Sequence, residues 1–428
     1  MRKPQANRLI VATIAVCCVL LYMGSKCLQE YVRLALLDKL CQLFVVLAIL
    51  LVLFIIADFL LSNRAYKGFR YFFNYWHTRN LLEKQMLDAG FGIQRSYYIE
   101  LPKISFSFKN DYSSGVLRIR NTLKFDRKLD DIVMSSGLGK FIVDNHYVTD
   151  DGNFYIYELL NGTTSFKLIF NSFDDFLEYS KKVPPYKLFL DKRSEIRLQH
   201  TLLVGMTGSG KTYSLYSLLL QMLNKNVSYH LYLADPKGSS LAVIGASIAP
   251  KSTAVSMQEI TAQLTVFVDM MHQRKADLKE RLKGKVDADY SDFNLEPHIF
   301  IFDEYASFAA VLASCEKKER DRVKALLYEI ILQGRQLGFF LFLVMQKSDA
   351  TLIETALRDN IPLKIVLGNS EQQTYITAFG AGVDIPKRHF LVGEGVFTEP
   401  VVAPEPRLVQ FPYCNFDILQ ACSRARVM

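Results

Sequence analysis

A short glycine-rich loop near the middle of the chain constrains its fold more than any other feature. Residues 205–212, Gly-Met-Thr-Gly-Ser-Gly-Lys-Thr, follow an apolar run that ends at Val204 and precede a helical pattern that begins at Lys211. The spacing G-x-x-x-x-G-K-[ST] between a strand and a helix is typical of phosphate-binding loops, because glycines let backbone N–H groups close around phosphate oxygens. We therefore expect a strand–loop–helix unit that binds a nucleotide.

This interpretation gives the residues of the loop distinct chemical roles. The backbone N–H groups and the side chain of Lys211 would contact the phosphates of ATP, and the hydroxyl of Thr212 would ligate Mg²⁺. The alternative, a glycine-rich turn without a ligand, fits the flanking strand and helix less well. The predicted nucleotide contacts are Gly205, Met206, Thr207, Gly208, Ser209, Gly210, Lys211 and Thr212.

A pair of carboxylates supplies the expected partner of the phosphate loop. In HIFIFDEYASF, residues 298–308, Asp303 and Glu304 directly follow a short apolar run. The carboxyl ends of parallel strands share one edge of a sheet, so this pair would lie beside the loop. We expect Asp303 to hold Mg²⁺ through its water shell and Glu304 to orient and deprotonate the attacking water.

Other polar residues stand near the ends of further predicted strands. Gln346 ends the run FFLFLVMQ and would sense the γ-phosphate, unless its amide only bonds to a loop. Arg335 precedes the same strand and would act as an arginine finger on a neighbouring subunit if the chain forms a ring. Arg358 competes for that role, and a surface ion pair is the alternative for both. In LADPKGSS, Asp235, Pro236 and Lys237 would fix a turn at the same sheet edge, and this turn would face either nucleotide or a translocated substrate.

Strands alternate with helices over the whole second half of the chain. This alternation predicts an α/β domain with a mainly parallel sheet that helices cover on both faces. In the longest helix, an apolar stripe at helical spacing predicts its buried face (Ile260, Leu264, Phe267, Met271, Leu278 and Leu282). The predicted strands are 201–204, 230–234, 298–302, 339–345 and 363–367, and the predicted helices are 211–224, 256–283, 316–333 and 350–359.

Charge and cysteine usage narrow the choice of partners and cofactors. The net charge of +8 permits a polyanionic partner without requiring one. Basic residues are concentrated between Arg274 and Lys285, and a solvated helix face explains them better than contact with DNA backbone. The seven cysteines include no CxxC pair, so neither a disulfide framework nor a zinc site is expected.

Two apolar runs near the N-terminus predict a membrane hairpin. Leu9–Gly24 carries no charge, and Leu40–Leu61 carries only Asp58 near its far end. About 20 apolar residues span a bilayer. A signal peptide is the alternative for the first run, but a small-x-small cleavage site is lacking and a second apolar run follows. Basic residues flank both outer ends, which predicts a multi-pass protein of the cell membrane with the rest of the chain in the cytoplasm.

The predicted organisation has five parts. Alternating and β-branched runs at 104–108, 115–123, 140–148 and 154–160, with a helical pattern between the second and third, predict a small α+β domain. A basic and aromatic segment before it is interpreted as a juxtamembrane helix, with nucleic-acid contact as the alternative. The boundaries are 1–62 (spans about 9–25 and 40–61), 63–100 (juxtamembrane), 101–183 (α+β), 184–410 (nucleotide-binding domain) and 411–428 (tail).

Taken in order, these motifs resemble those of the FtsK/SpoIIIE family of DNA translocases. The resemblance extends over residues 115–397 and rests on GMTGSGKT, DPK, FIFDEY, GRQLGFFLFLVMQ, LRDNIPLKIVLG and LVGEGVF. It implies a RecA-like motor domain that uses Mg²⁺ and ATP, works as a hexameric ring and pumps double-stranded DNA. Lys347-Ser348 follow Gln346 where that family commonly has Arg-Pro, which puts the contacts of this loop in doubt.

The compact layout looks like that of the FtsK-type coupling proteins of Gram-positive conjugative elements. Such a protein delivers DNA, or a relaxase–DNA complex, to membrane channel proteins, so a relaxase and a channel are the expected partners. No sequence-reading winged-helix domain is expected after residue 410. Three alternatives stay open: a pump that partitions chromosomes or plasmids, an ATPase that exports proteins, and a scaffold that binds ATP without catalysis.

Overall fold

The computed structural model describes residues 2–31, 35–123, 128–129, 134–281, 287–347, 353–383, 385 and 388–425. The chain divides into two compact units, Met1–Thr164 and Ser165–Met428. The first unit combines long apolar helices with a small sheet. The second unit contains the phosphate loop.

Two long apolar helices open the first unit, α1 (Lys3–Tyr31) and α2 (Ala35–Ser62). By length and composition, Lys3–Gln29 and Asp38–Ser62 are each able to cross a membrane. The helices run antiparallel, because Arg8 near the start of α1 pairs with Asp58 near the end of α2, with Nε and Oδ2 2.8 Å apart. The two apolar runs read from the sequence are therefore helical and adjacent.

The rest of the first unit is an antiparallel sheet packed against α3 (Phe69–Asp88). A separate pair of short strands, β1 and β2, precedes this sheet, which has the order β3-β4-β6-β5. The predicted helical segment after β4 lies mostly outside the described residues, and its described part is one 3₁₀ turn at Met134–Gly137. The strands are β1 (Ile93–Gln94), β2 (Ile99–Glu100), β3 (Ile104–Phe108), β4 (Ser114–Arg120), β5 (Phe141–Val148) and β6 (Phe154–Asn161).

One eight-stranded sheet organises the second unit, in the order β12-β11-β13-β14-β10-β15-β16-β17. The strands from β12 to β15 are parallel, and β16 and β17 continue the sheet antiparallel. The predicted mainly parallel α/β sheet is confirmed. The strands of the unit are β7 (Ile169–Phe170), β8 (Lys187–Phe189), β9 (Glu195–Arg197), β10 (Thr201–Gly205), β11 (His230–Ala234), β12 (Thr253–Ala254), β13 (His298–Phe302), β14 (Phe339–Met345), β15 (Leu363–Leu367), β16 (Glu394–Glu399), β17 (Ala403–Gln410) and β18 (Tyr413–Cys414).

Helices cover both faces of this sheet, as the alternation predicts. Alternate side chains of the central strands pack with α5, α6 and α12 on one face. On the other face, Phe267 of α7 contacts the rings of Tyr232, Phe300 and Phe339. The helices are α4 (Phe173–Lys182), α5 (Lys211–Leu223), α6 (Ser240–Ile248), α7 (Met257–Arg281), α8 (Tyr305–Ser314), α9 (Lys317–Leu337), α10 (Thr355–Asp359), α11 (Gln372–Phe379) and α12 (Ile418–Ala425).

The predicted stripe of α7 is buried wherever the structure describes it. Ile260, Leu264, Phe267, Met271 and Leu278 all lie in the core, and Leu282 falls outside the described residues. Helical spacing identified this face because residues three and four apart share one side of a helix. The last predicted helix is shorter than expected within the described residues, since Ile353 and Glu354 precede its first turn.

Two buried histidines lie at the amino-terminal ends of the central strands. His200 precedes β10, and its Nδ1 accepts the N–H of Leu341 at 3.0 Å. The ring of His298 stacks on that of Phe339, with centroids 4.4 Å apart. Burial lowers the pKa of both imidazoles to about 3, and the nearby charges of Arg335 and Arg274 act in the same direction. Both side chains are therefore neutral in the folded protein at pH 7.

Because both histidines are buried in their neutral form, the folded protein loses stability below pH 6.5, the pKa of histidine in the unfolded chain. The unfolded chain binds these protons and the folded chain does not, so stability falls as the pH drops from about 6.5 towards 3. His298→Phe keeps the stacked ring and removes one proton site. Between pH 7 and pH 5, we expect the variant to lose about 2 kcal/mol less unfolding free energy than the parent chain. Denaturant unfolding of the full chain in detergent measures this, and equal losses in both proteins would contradict it. His389→Gln, at an exposed position, is the control.

Candidate nucleotide-binding site

Strand register brings the predicted site residues to the carboxyl edge of the sheet. Val204 of β10 pairs with Met345 of β14, so the phosphate loop and Gln346 leave neighbouring strands at the same level. Phe302 of β13 pairs with Leu343 of β14, so Asp303 follows at that edge as well. Parallel pairing alone therefore places the loop, the carboxylates and Gln346 close together.

The phosphate loop has a backbone that only glycine adopts easily at two positions. Gly208 and Gly210 have φ angles of 83° and 93°, in the left-handed region. A Cβ at Gly210 would also stand 2.6 Å from the backbone nitrogen of Gly393. The N–H of Gly393 donates to the carbonyl of Ser209 at 2.8 Å. The loop is thus supported from behind by the segment before β16.

Glu304 is the centre of the site's charge network. Its Oε2 lies 3.7 Å from Nζ of Lys211 and 3.3 Å from Nζ of Lys237. Its Oε1 accepts the backbone N–H of Gln346 at 3.3 Å. The carboxylate is buried, so these three contacts act in a medium where charges interact more strongly than in water. Lys237, for which the sequence left two interpretations, therefore faces the phosphate-loop lysine and Glu304.

The neighbouring groups set the electrostatics of Lys211 and Asp303. Burial lowers the pKa of Lys211, while the charges of Glu304 and Asp303 oppose that change. Burial raises the pKa of Asp303, Lys211 opposes it, and the like charges of Asp235 and Glu304 reinforce it. Cations and carboxylates are therefore interleaved at this edge, and each limits the cost of burying the other.

Oxygen ligands for a magnesium ion are available at the same place. Burial raises the pKa of Tyr216 to about 12, and the charges of Asp303 and Asp235 act in the same direction. Thr212 lies one helical turn before Tyr216 on the same side of α5. A hydroxyl and one or two carboxylates, with the rest of the shell from phosphate and water, suit Mg²⁺. Within the described residues, no group of three His, Cys, Asp or Glu side chains forms a dedicated metal cage.

Asp235 fixes the turn that carries Lys237. Its carboxylate accepts the backbone N–H groups of Lys237, Ser239 and Ala242, at 3.2, 2.6 and 3.0 Å. It is almost fully buried and is committed to these bonds. The aspartate of the DPK motif therefore holds the loop in shape, and the lysine of the motif extends into the charge network.

The two candidate arginine fingers do not reach the phosphate loop of their own chain. Arg335 lies in the last turn of α9, which leads into the start of β14 at the opposite edge of the sheet. Arg358 pairs with Asp359 at 3.6 Å in α10, just before β15 begins at Leu363. Both guanidinium groups therefore lie at the amino-terminal edge, away from Lys211 and Glu304.

The basic run of α7 is partly structural. Arg274 donates to the carbonyls of Glu296 and Leu337 at 2.6 and 3.1 Å and lies over the ring of Phe339. Lys275 donates to the side chain of Gln333 at 2.6 Å. Residues 282–286, which follow Arg281, lie outside the described residues. The described part of this run therefore fits the solvated helix face better than a nucleic-acid surface.

A cavity of about 440 Å³ follows β15, the strand next to the phosphate loop, and the sequence did not single it out. Gly368, the residue after this strand, lies against the phosphate loop, because a Cβ there would stand 2.8 Å from Cβ of Ser209. Tyr375 donates to the carbonyl of Gly368 at 3.0 Å, and Ser370 carries a buried hydroxyl with no partner among the described residues. Its walls include Asn369, Ser370, Tyr375, Ile376, Arg388 and Phe390.

Residues 181–349 match the model of the FtsK/SpoIIIE family. The chain carries an FtsK/SpoIIIE domain. The family comprises ATPase motors with a phosphate loop, and the sheet and loop of this domain have the corresponding fold. The family resemblance read from the sequence is confirmed.

Curated relatives match through this same domain. The Ftsk domain-containing protein YdcQ of Bacillus subtilis strain 168 is 29% identical over 184 residues, which are 43% of this chain and 37% of the relative. The DNA translocase FtsK of Caldanaerobacter subterraneus is 22% identical over 240 residues, 53% of this chain and 31% of the relative. The chain thus spans about a third of the length of these relatives.

Solved structures are similar to the chain at greater distance. The pCW3 conjugation coupling protein TcpA is 16% identical, with a TM-score of 0.48, over 79% of this chain and 95% of that one. EssC from Geobacillus thermodenitrificans is 16% identical, with a TM-score of 0.46, over 62% of this chain and 51% of that one. Likenesses at this distance do not indicate function.

Substitutions at Lys211 and at Glu304 should have different effects on nucleotide binding and on nucleotide hydrolysis. We expect Lys211→Ala to lose binding, because the variant lacks the ammonium group that the phosphate loop places at the β- and γ-phosphates. Glu304→Gln keeps the shape of the side chain and removes the proton acceptor, so ATP binding should persist while hydrolysis falls by about 10²-fold or more. Binding of a fluorescent ATP analogue and release of phosphate measure the two effects. Lys251→Ala, at an exposed lysine outside the site, is the control. Full turnover by either site variant would refute this assignment.

Proposed function

We propose that this chain hydrolyses ATP at the carboxyl edge of its parallel sheet and uses the energy to move DNA at a membrane. The observation that carries the proposal is the contact of Glu304 with both Lys211 and Lys237 beside a complete phosphate loop. The FtsK/SpoIIIE domain supports the choice of ATP as nucleotide and of DNA as substrate.

In this proposal, each residue of the network acts on the triphosphate or on water. Lys211 and the loop N–H groups bind the phosphates, and Thr212 and Asp303 would hold Mg²⁺, which would supply positive charge beside the reacting phosphate oxygens. Glu304 orients the attacking water and accepts its proton. Lys237 holds Glu304 in place from the other side. The cavity after β15 receives the nucleoside.

Gln346 would report the state of the site through its backbone. Its N–H donates to Glu304, so a shift of this carboxylate towards water or phosphate changes a bond at the start of the loop after β14. The side chain of Gln346 is exposed and free to approach the γ-phosphate. Hydrolysis is thereby linked to the backbone of this loop.

The position of the arginines supports a ring. Arg335 and Arg358 lie at the amino-terminal edge of the sheet, so either side chain meets a γ-phosphate only in a neighbouring subunit. We propose a homo-oligomer, a hexamer by the family resemblance, in which one of these arginines completes the adjacent site. Their own chain cannot use them for this purpose.

The apolar helices α1 and α2 support anchoring as a multi-pass protein, with the motor domain in the cytoplasm. A compact motor that follows a membrane hairpin suits a conjugative coupling protein, which would pass DNA or a relaxase–DNA complex to channel proteins. A partitioning pump would use the same motor on the chromosome or a plasmid. A protein-export motor would differ in its response to DNA.

Stimulation of ATP hydrolysis by double-stranded DNA tests the substrate. With the full chain in detergent, we expect DNA to raise the hydrolysis rate and added salt to remove the stimulation, because salt weakens phosphate contacts. The Glu304→Gln variant gives the background rate. A rate that DNA does not change at low salt would overturn the DNA proposal in favour of protein export.

Removal of residues 1–61 tests the anchor. We expect the full chain to stay with membranes through a high-salt wash, since apolar helices in a bilayer do not respond to salt. The truncated chain should leave the membrane on alkaline extraction, which releases proteins bound only at the membrane surface. A truncated chain that resists both salt and alkaline extraction would show that α1 and α2 are not the anchor.

A further inference from the structure

Helix α3 has two apolar faces, and only one of them packs in the core of the first unit. Tyr71, Tyr75, Leu82 and Met86 are buried and pack against the sheet. On the opposite side, Phe69, Phe73 and Trp76 are 79%, 45% and 37% exposed. Their spacing of four and three residues puts them on one stripe of the helix. Tyr66, in the 3₁₀ turn just before α3, is 69% exposed.

Aromatic side chains in this number are costly to leave in water. Each large ring buries on the order of 150–250 Å² when it is covered, at roughly 25 cal/mol per Å². Contiguous exposed apolar patches on folded proteins mark protein or membrane contacts. The patch formed by Tyr66, Phe69, Phe73 and Trp76, which we call the aromatic face, therefore has the composition of a contact surface.

The aromatic face is continuous with the apolar helix α2. Phe59, in the last turns of α2, contacts the ring of Phe72 with centroids 5.8 Å apart. Phe72 contacts Phe73 at 5.3 Å, and Phe73 contacts both Phe69 and Trp76, at 4.6 and 6.4 Å. An unbroken series of rings therefore leads from the end of a helix able to span a bilayer onto the aromatic face. This continuity favours a lipid surface over a protein partner.

Three cations lie at the amino-terminal end of α3, next in sequence to residues of the aromatic face, and Lys67 and Arg70 are exposed. The Arg64, Lys67 and Arg70 side chains lie over buried rings, those of Tyr75, Tyr71 and Tyr112, at 5.4, 5.1 and 5.0 Å from the centroids. Within the described part of the chain, none of the three pairs with a carboxylate. Each lysine or arginine near an anionic bilayer surface contributes about 1 kcal/mol of attraction. Aromatic rings with adjacent cations match the layer where acyl chains meet phosphate groups.

We propose that the aromatic face lies in the headgroup layer of a bilayer that contains anionic phospholipids, with Arg64, Lys67 and Arg70 on the lipid phosphates. The proposal rests on the proposed anchoring by α1 and α2. It adds a third membrane element, which lies along the surface and does not cross it. The first part of the chain after the hairpin is then held at the membrane by two kinds of contact.

Trp76 makes the proposal directly measurable, because it is the only tryptophan of the chain. The full chain is reconstituted into phosphatidylcholine vesicles with or without phosphatidylglycerol, and a flotation gradient recovers the vesicles. We expect the fluorescence of Trp76 in vesicles to have its maximum at a shorter wavelength than the fluorescence of the chain unfolded in detergent-free urea. Lipids with a nitroxide near the headgroup should quench it more than lipids with a nitroxide at the acyl-chain end. Phosphatidylglycerol should increase that quenching.

A charge-removal variant tests the role of the cations. Arg64→Gln, Lys67→Gln and Arg70→Gln together should abolish the increase caused by phosphatidylglycerol and leave ATP hydrolysis in detergent unchanged. The control replaces three exposed lysines elsewhere, Lys181, Lys251 and Lys318, by Gln, and should keep the dependence on phosphatidylglycerol. A loss of that dependence in both variants would contradict specific binding by the flanking cations.

The outcomes separate this proposal from the one on which it rests. A chain that does not float with vesicles refutes the anchoring itself. A chain that floats while Trp76 stays open to aqueous iodide, and is not quenched by either nitroxide lipid, refutes the lipid surface. That second result would assign the aromatic face to a protein partner. Preferential quenching by the acyl-chain-end label would also overturn the proposal, because it places Trp76 below the headgroups.

Discussion

The parallel pairing of β13, β14 and β10 is the constraint on which the rest of the nucleotide site depends. It sets Phe302 beside Leu343 and Val204 beside Met345, so three strands end at one level. Everything that follows these ends is then within reach of the same phosphate group. A shift of one residue in either ladder would turn each strand's side chains to the other face and move the carboxylates away from the loop. The buried apolar residues on both faces of these strands prevent such a shift.

The backbone of Glu304 adopts an energetically unfavourable conformation at this edge of the sheet. Its φ and ψ angles of 59° and 62° are left-handed, which costs a side chain other than glycine about 1 kcal/mol. The strand ends one residue before Asp303, and α8 begins at Tyr305, so the chain must turn within two residues. The left-handed residue makes that turn and directs its carboxylate back to Lys211 and Lys237. Strain of this kind persists at functional sites because the surrounding structure over-determines it.

Local sequence patterns were enough to predict five parallel strands of the large sheet, its longest helices and the loop, because alternation, helical spacing and glycine positions are properties of short segments. They did not predict β12 or the antiparallel strands β16 and β17. The position of Asp303 and Glu304 could also be predicted, because residues that directly follow a strand lie at an edge of the sheet. Three features of the site were not readable from the sequence. The support of the loop by Gly393, the joint contact of Lys237 and Lys211 with Glu304, and the cavity after β15 all join segments far apart in the chain. Such contacts depend on the order of strands in the sheet, which short-range patterns do not specify.

The division of charge between the two sheet edges has a consequence for assembly. The carboxyl edge holds the phosphate lysine and two carboxylates, whereas the candidate finger arginines lie at the amino-terminal edge. In enzymes that use an arginine finger, this residue raises the rate of phosphoryl transfer by about 10³- to 10⁵-fold. A single chain that hydrolysed ATP alone would lack this contribution. Head-to-tail packing puts one chain's amino-terminal edge against the next chain's carboxyl edge, and a heterologous contact that repeats by rotation closes into a ring. In the proposed ring, each chain would supply one half of two shared sites, and the rate of hydrolysis would then depend on the assembly.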